Sequence, residues 1–266
     1  LAVITGKAQT DSIASPILDR TVPCATGMMK QRGTFYLAFG YNKDWYSKST
    51  LHFFDESGDY DFKLHKMTAH DRPHFKELFK VALSIPQYGY RMGYYFPGSA
   101  WGVEANFDHA KYIVADSQYV RLTGQIEGVN FDKDTLITDA FMHLEHTDGA
   151  NFLMANALYR YQLLDKKHIR VNAVCKAGAG FVIPRSDVTL WGERNNHCFH
   201  IAGQIVGVEA GFRGEFFRYF FLEATNKGAY ANFNKVLGIG DGLISHRFFV
   251  YELLLHAGFQ FPLGKK

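Results

Sequence analysis

The chain has 266 residues, 47% of them hydrophobic and 16% aromatic, with 29 Lys and Arg set against 26 Asp and Glu. A formal charge of +3 with no basic block argues against nucleic acid as a partner. Mean hydropathy is slightly negative and no run of about 18 apolar residues exists, which excludes a helical membrane span and leaves a closed β-barrel as the spanning structure that needs no such run.

The start, Leu1 to Thr5 followed by Gly6-Lys7-Ala8, reads as the end of an export signal with a small-x-Ala cleavage site. Residues 9 to 31 carry Pro16 and Pro23 without periodicity. The expected organisation is therefore an export-signal remnant and periplasmic leader over 1–31 and one barrel domain over 32–266. Cys24, Cys175 and Cys198 lie far apart without CxxC spacing, so neither a zinc cluster nor a disulfide framework is signalled.

Alternation begins at Phe35. Phe35, Leu37, Phe39 and Tyr41 take one face of a first strand and Tyr36, Ala38, Gly40 and Asn42 the other. A second strand near 85–96 sends Tyr88, Tyr90, Met92, Tyr94 and Phe96 outward, with Gln87, Gly89, Arg91 and Gly93 inward. The third turns Trp101, Val103, Ala105 and Phe107 out against Glu104, Asn106 and Asp108. In the fourth, Leu153, Ala155, Ala157, Tyr159 and Tyr161 oppose Asn156, Arg160 and Gln162. The fifth, 169–183, sets Ile169, Val171, Ala173, Cys175, Ala177, Ala179 and Phe181 against Arg170, Asn172, Lys176, Gly178 and Gly180. The sixth places Ala202, Val206, Val208, Ala210 and Phe212 outside and Gly203, Gly207, Glu209 and Arg213 inside, with Gln204 as an outward exception. After a turn at Gly214-Glu215-Phe216, the seventh puts Leu222, Ala224 and Tyr230 out and Glu223, Thr225 and Lys227 in. In the last run, 247–261, the odd positions are apolar apart from Arg247, while Glu252, His256 and Gln260 occupy the even ones. A greasy face outward and a polar face inward is the inverse of a soluble strand, so the predicted fold is all-β, an eight-stranded antiparallel transmembrane barrel in a bacterial outer membrane.

Three connections read as short turns and four as longer segments, 43–84, 114–145, 184–198 and 234–246. Short turns face the periplasm in such barrels, which puts both termini there. Within the first long connection, Asp71 and Pro73 precede Phe75, Leu78, Phe79 and Ala82, an apolar stripe predicting a short amphipathic helix. In the second, Tyr119 to Phe131 reads as strand extensions or a hairpin turning near Gly124 or Gly128.

The inward charges Arg91, Glu104, Asp108, Arg160, Arg170, Lys176, Glu209, Arg213, Glu223, Lys227 and Glu252 nearly balance. An eight-stranded lumen is just wide enough for side chains to fill, so these residues predict an interlocked ionic plug rather than a channel. Among the 12 histidines, His52, His65, His70, His74, His109, His143, His146, His197, His200 and His246 fall on the outer side, whereas His168 and His256 lie lower. Near Asp71, Glu145 and Asp148, the histidines His70, His74, His143 and His146 are the candidates for a divalent-metal site on the extracellular side. Scattered polar loop histidines are the plainer reading, and His143 and His146 differ in parity. No other cofactor is expected. Lys43, Lys48, Lys63, Lys66, Arg72, Lys76 and Lys80, interleaved with Trp45, Tyr46, Phe53, Phe54, Phe62 and Phe75, fit either contact with lipopolysaccharide phosphates or ordinary solvated loop charge.

This strand rhythm over residues 33 to 263 resembles that of small eight-stranded outer-membrane proteins such as the OmpA barrel, PagL and Opa-type adhesins. Strings such as Asn106-Phe107-Asp108-His109, His146 through Phe152, and Lys176-Ala177-Gly178-Ala179-Gly180 also resemble those of Bacteroidota outer-membrane proteins of unassigned function. PagL-type lipid A deacylases carry a His-x-Ser-Asn motif, so the resemblance implies a hydroxyl two residues after the base. Here that position is Asp148. The remaining catalytic candidates, Asp108, His109, His146 and Asn151, lack a nucleophile among them. The expected function is a non-enzymatic barrel that is structural, surface-binding or an accessory subunit, with outer-membrane lipids including lipopolysaccharide, and other outer-membrane proteins, as partners. The alternative is a lipid A or phospholipid hydrolase.

Overall fold

A strand with one greasy and one charged face can be buried only if the charged faces of several strands turn toward each other, and closing a ring is the way to do that without leaving an edge. The computed structural model describes residues 32–72, 87–146, 148–196 and 198–263. In chain order its strands are β1 (Thr34–Tyr46), β2 (Ser49–Phe54), β3 (Tyr60–Met67), β4 (Ala69–His70), β5 (Tyr88–Tyr95), β6 (Trp101–His109), β7 (Tyr112–Val114), β8 (Gln118–Ile126), β9 (Val129–Ile137), β10 (Met142–His146), β11 (Phe152–Asp165), β12 (Ile169–Val182), β13 (Asp187–Leu190), β14 (Glu193–Asn196), β15 (Gly203–Phe216), β16 (Phe220–Leu237) and β17 (Leu243–Pro262). No helix occurs among the described residues. The leader over 1–31 and the stripe from Pro73 to Ala82 lie outside them.

Eight strands, β1-β5-β6-β11-β12-β15-β16-β17, form an antiparallel ring closed by pairing of β17 with β1, in which Tyr36 stands opposite Gln260 and Leu37 opposite Phe259. The faces follow the parity of the sequence: Leu253, Leu255 and Phe259 are exposed while Glu252, His256 and Gln260 are buried. Outward aromatics gather at both ends of the wall. Trp45, Tyr90, Phe249 and Tyr251 mark one, and Trp101, Tyr161, Phe212 and Phe261 the other. Those girdles and the apolar band between them are the exterior of an outer-membrane barrel.

Several boundaries shift. β1 continues to Tyr46, which brings Asp44 inside. Gly214-Glu215-Phe216 belongs to β15, the turn falling at 217–219, so Glu215 also faces inward. The expected fourth long connection is largely strand, because β16 and β17 run on past the wall to a turn at 238–242. Ala202 is fully buried rather than outward, its carbonyl accepting from the amides of Asn234 and Lys235. The segment after Tyr119 is a hairpin, β8 with β9, turning at Glu127 and Gly128, both at positive φ.

The long connections are themselves sheet. β17 pairs with β2 at Leu243–Ser245, and β3, β8 and β9 follow, so the barrel wall extends into a flap. A second sheet, β14-β13-β10-β7-β4, shares its apolar core. In this cap the polarity reverts to that of a soluble protein: Leu51, Phe53, Phe62, Leu64, Leu122, Leu144 and Val188 are buried together, and Lys63 is left exposed. The Phe53 and Phe62 rings stack with centroids 5.0 Å apart. Phe62→Ala is expected to cost the cap about 3–5 kcal/mol. Limited proteolysis should then cut cap segments faster, while the heat-dependent gel mobility of the barrel stays that of the parent.

Candidate functional site

Inside the ring, side chains from six strands, β5, β6, β12, β15, β16 and β17, meet as one ionic network. Arg91 on β5 pairs with Asp108 on β6 and lies 3.8 Å from Glu104 and 3.9 Å from Glu209. Lys176 on β12 reaches three carboxylates, Glu104 and Glu209 at 3.0 Å and Glu223 at 2.7 Å. Arg213 on β15 is 2.6 Å from Glu223, and Lys227 on β16 holds Asp108 and Glu252, both at 2.8 Å. Toward the short turns, Arg160 and Arg170 flank Glu215 at 3.7 and 3.2 Å.

The charges are packed as well as paired. The Arg213 guanidinium sits over Tyr36 at 4.2 Å and Phe221 at 4.1 Å, and Arg160 sits over Tyr95 at 4.0 Å. The Tyr36 hydroxyl donates to Glu104. Its ring needs the space at Gly93, where a Cβ would fall 2.3 Å from the Tyr36 ring. Side chains fill the width of this barrel. Glu215 and Tyr36 join this network without being marked for it by the sequence pattern; Glu215 follows from parity once its strand is extended by two residues.

The four catalytic candidates do not assemble. Asp108 is committed to Arg91 and Lys227 in the lumen. His109, at the C-terminal end of β6, shares a 2.9 Å hydrogen bond with Asn151 and stacks on Tyr88. Asn151 in turn donates to the carbonyls of Asp148 and Ile183. Gly149, at φ +95°, leaves room for that pair, since a Cβ there would lie 2.5 Å from both polar atoms. His146 is elsewhere, in the cap core. Its Nδ1 is 2.8 Å from Ser186 Oγ and its Nε2 is 3.3 Å from His246 Nε2, under Phe233 and close to Tyr112. His146 and Ser186 are fully buried. Burial, with the neighbouring His246 and His200 adding to it, pushes the His146 imidazole well below its ordinary value and keeps it neutral. Ser186 and His246 join His146 only through the fold, lying 40 and 100 residues from it in sequence.

The metal candidates separate too. His70 lies on β4, His74 is outside the described residues, and His146 is buried. His143, half buried on β10, meets two acidic residues from the connections around the β8–β9 hairpin. One ligand atom from each of Asp116, Asp139 and His143 lies within 4.8 Å of the others. Contact with Asp116 raises the Asp139 carboxyl above its ordinary value. Glu145 first, and Asp116 after it, raise the His143 imidazole. On the flap's outer face, Lys48, His65, Lys66, Tyr119, Arg121 and Asp134 line a cleft of about 810 Å³. The basic and aromatic residues of the first connection are thus sorted: Phe53 and Phe62 are in the core, Lys48 and Lys66 line the cleft, and Lys43 pairs with Asp71.

No protein-family model matches the chain, and no curated protein matches it. Solved structures similar to it include the attachment invasion locus protein Ail of Yersinia pestis, at 12% identity and TM-score 0.35, covering 86% of this chain and 99% of that one. Neisserial surface protein A is similar at 11% identity and TM-score 0.36, covering 86% and 97%. OprG of Pseudomonas aeruginosa is similar at 10% identity and TM-score 0.38, covering 89% and 99%. The barrel itself rests on the closed ring and its lipid-facing wall.

Lys176→Met would remove a cation shared by three carboxylates and leave Glu104 and Glu209 only the longer contacts to Arg91 at 3.8 and 3.9 Å, whereas Glu252→Leu leaves Lys227 its 2.8 Å contact to Asp108. The first is expected to destabilise the barrel by about 3–5 kcal/mol, the second by less. Leu253→Ala, on the lipid face, should cost least, and urea unfolding in detergent or lipid ranks the three.

Proposed function

We propose that this protein is a non-catalytic outer-membrane barrel whose work is done by its cap, as a binding surface for acidic outer-membrane glycolipid. The observation that carries the reading is the contrast between its two ends of chemistry. The lumen charges are consumed by one another, leaving the barrel a plug, while the flap turns a cleft of Lys48, Lys66, His65 and Arg121 with the prominently exposed Tyr119 to the outside. Cations recognise phosphate through charge-assisted hydrogen bonds, and an exposed ring offers a sugar an apolar face. Arg121 is already forked onto Asp132, at 2.7 and 2.9 Å, which leaves Lys48 and Lys66 as the cations to engage a ligand. In this reading the long connections face outward and both termini lie in the periplasm.

The hydrolase alternative has one observation in its favour, the Ser186–His146 hydrogen bond. A nucleophile must meet its substrate, and this one is covered by the cap core.

Three measurements test the proposal. Vesicles containing lipopolysaccharide should retain the purified protein, and a Lys48→Glu, Lys66→Glu double variant should bind at least about tenfold more weakly, the loss shrinking as salt rises. Equal binding would remove the cleft from the function. Lipid A and phospholipids incubated with the protein, with and without Ca²⁺, should be unchanged by mass spectrometry; fatty acid released by the parent and not by Ser186→Ala would install the hydrolase instead. Orientation is read in a background lacking Cys24, Cys175 and Cys198. Single cysteines replacing Ser57 and Asp241 should react with impermeant reagent on intact cells, and one replacing Lys166 should not. The reverse pattern would invert the topology.

A further inference from the structure

The imidazole of His143 is held between carboxylates from opposite sides. Its Nδ1 faces Asp116 Oδ1 at 3.5 Å, and its Nε2 faces Glu145 Oε2 at 3.8 Å. Asp139 completes the first side, so a nitrogen and two carboxylate oxygens converge from three separate segments of chain within 4.8 Å. An outer carboxylate facing the far nitrogen of a histidine is the arrangement that orients the ring in metal sites, and here Glu145 stands on the Nε2 side while the Nδ1 edge faces Asp116.

The three segments are anchored. Asp116 follows Ala115, whose amide donates to Thr68 at 2.9 Å. Asp139 sits in a turn where the amides of Phe141 and Met142 both donate to Thr138 at 2.9 Å, and the Phe141 carbonyl accepts from Trp191. His143 is in register with Thr189 of β13. The frame that would hold the three ligands is therefore set by sheet pairing and turn hydrogen bonds.

We propose that Asp116, Asp139 and His143 form a divalent-cation site on the cap, positioned by Glu145, for a first-row ion such as Zn²⁺ or Mn²⁺. One imidazole with two carboxylates suits these ions, whereas Ca²⁺ asks for six to eight oxygens and thiolate-selective ions have no cysteine here. Asp116 and Asp139 flank the β8–β9 hairpin at its two ends and His143 belongs to the second sheet, so a bound ion ties the flap to that sheet. Its role is to clamp the cap, independently of the basic cleft.

The test is titration of the intact, detergent-solubilised protein, stripped with EDTA, with ZnCl₂, MnCl₂ and CaCl₂ by calorimetry, and protease resistance of the cap read in parallel. One Zn²⁺ per chain is expected at this site. Asp139→Asn and His143→Gln should each weaken it at least about tenfold and Glu145→Gln about 10–100-fold, with the gain in protease resistance lost in step. His52→Gln, which removes a different surface His–Asp pair, should leave binding unchanged. Heat-dependent gel mobility verifies that each barrel is folded, and Asp139→Asn, on an exposed turn, keeps the test decisive if His143→Gln does not fold. The proposal is overturned if the parent binds no ion saturably, if the three variants bind as the parent does, or if Ca²⁺ binds more tightly than Zn²⁺.

Discussion

Closure of the ring is the constraint on which the rest of this protein depends. Once β17 pairs with β1, alternate residues of eight strands are committed to a lumen no wider than their own side chains. A single charge there, cut off from water, would be prohibitive, and the attraction of one partner alone seldom offsets desolvation. The sequence meets this with shared partners rather than isolated pairs. Lys176 touches three carboxylates, Asp108 is held by two cations, and Arg213 is both paired and packed against two aromatic rings. Such a lumen specifies register tightly, because slipping any strand by one residue would put its charges into lipid.

The cap follows from the same geometry at the rim. Strands that leave the membrane no longer face lipid on one side, and β17 uses its free edge beyond the wall to pair with β2. From there the two sheets bury apolar residues against each other, as in any soluble fold. The rim is where the two polarity rules meet, and it is lined by rings: Phe233, His246 and Phe248 from the barrel pack with Tyr112 and His146 of the cap. His146 is neutral there because burial disfavours its charged form, and its polar atoms are satisfied by Ser186 and His246. This explains why a hydroxyl–imidazole contact that resembles half of a catalytic site lies where no lipid reaches it.

Two accessible polar groups on the cap have opposite charge. The cleft around Tyr119 is basic, and the group around His143 is acidic with one imidazole. Both depend on the β8–β9 hairpin, whose strand β8 supplies the cleft and whose flanking turns carry Asp116 and Asp139.

What the sequence determined by itself is the barrel: the faces of Leu37, Arg91, Glu104, Lys176 and Leu253 are legible because lipid and lumen demand opposite side chains, and a period of two records that demand locally. The same period misleads in the first connection, where Leu51, Phe53, Phe62 and Leu64 alternate just as regularly but with the greasy side buried; alternation gives two faces without saying which is inside. Partners were beyond reach for a related reason. Lys176 with Glu223, Ser186 with His146, and Asp116 with His143 are joined by strand pairing across long stretches of chain. Only the tertiary structure decides such contacts, because they are set by ring closure and register rather than by neighbours in sequence.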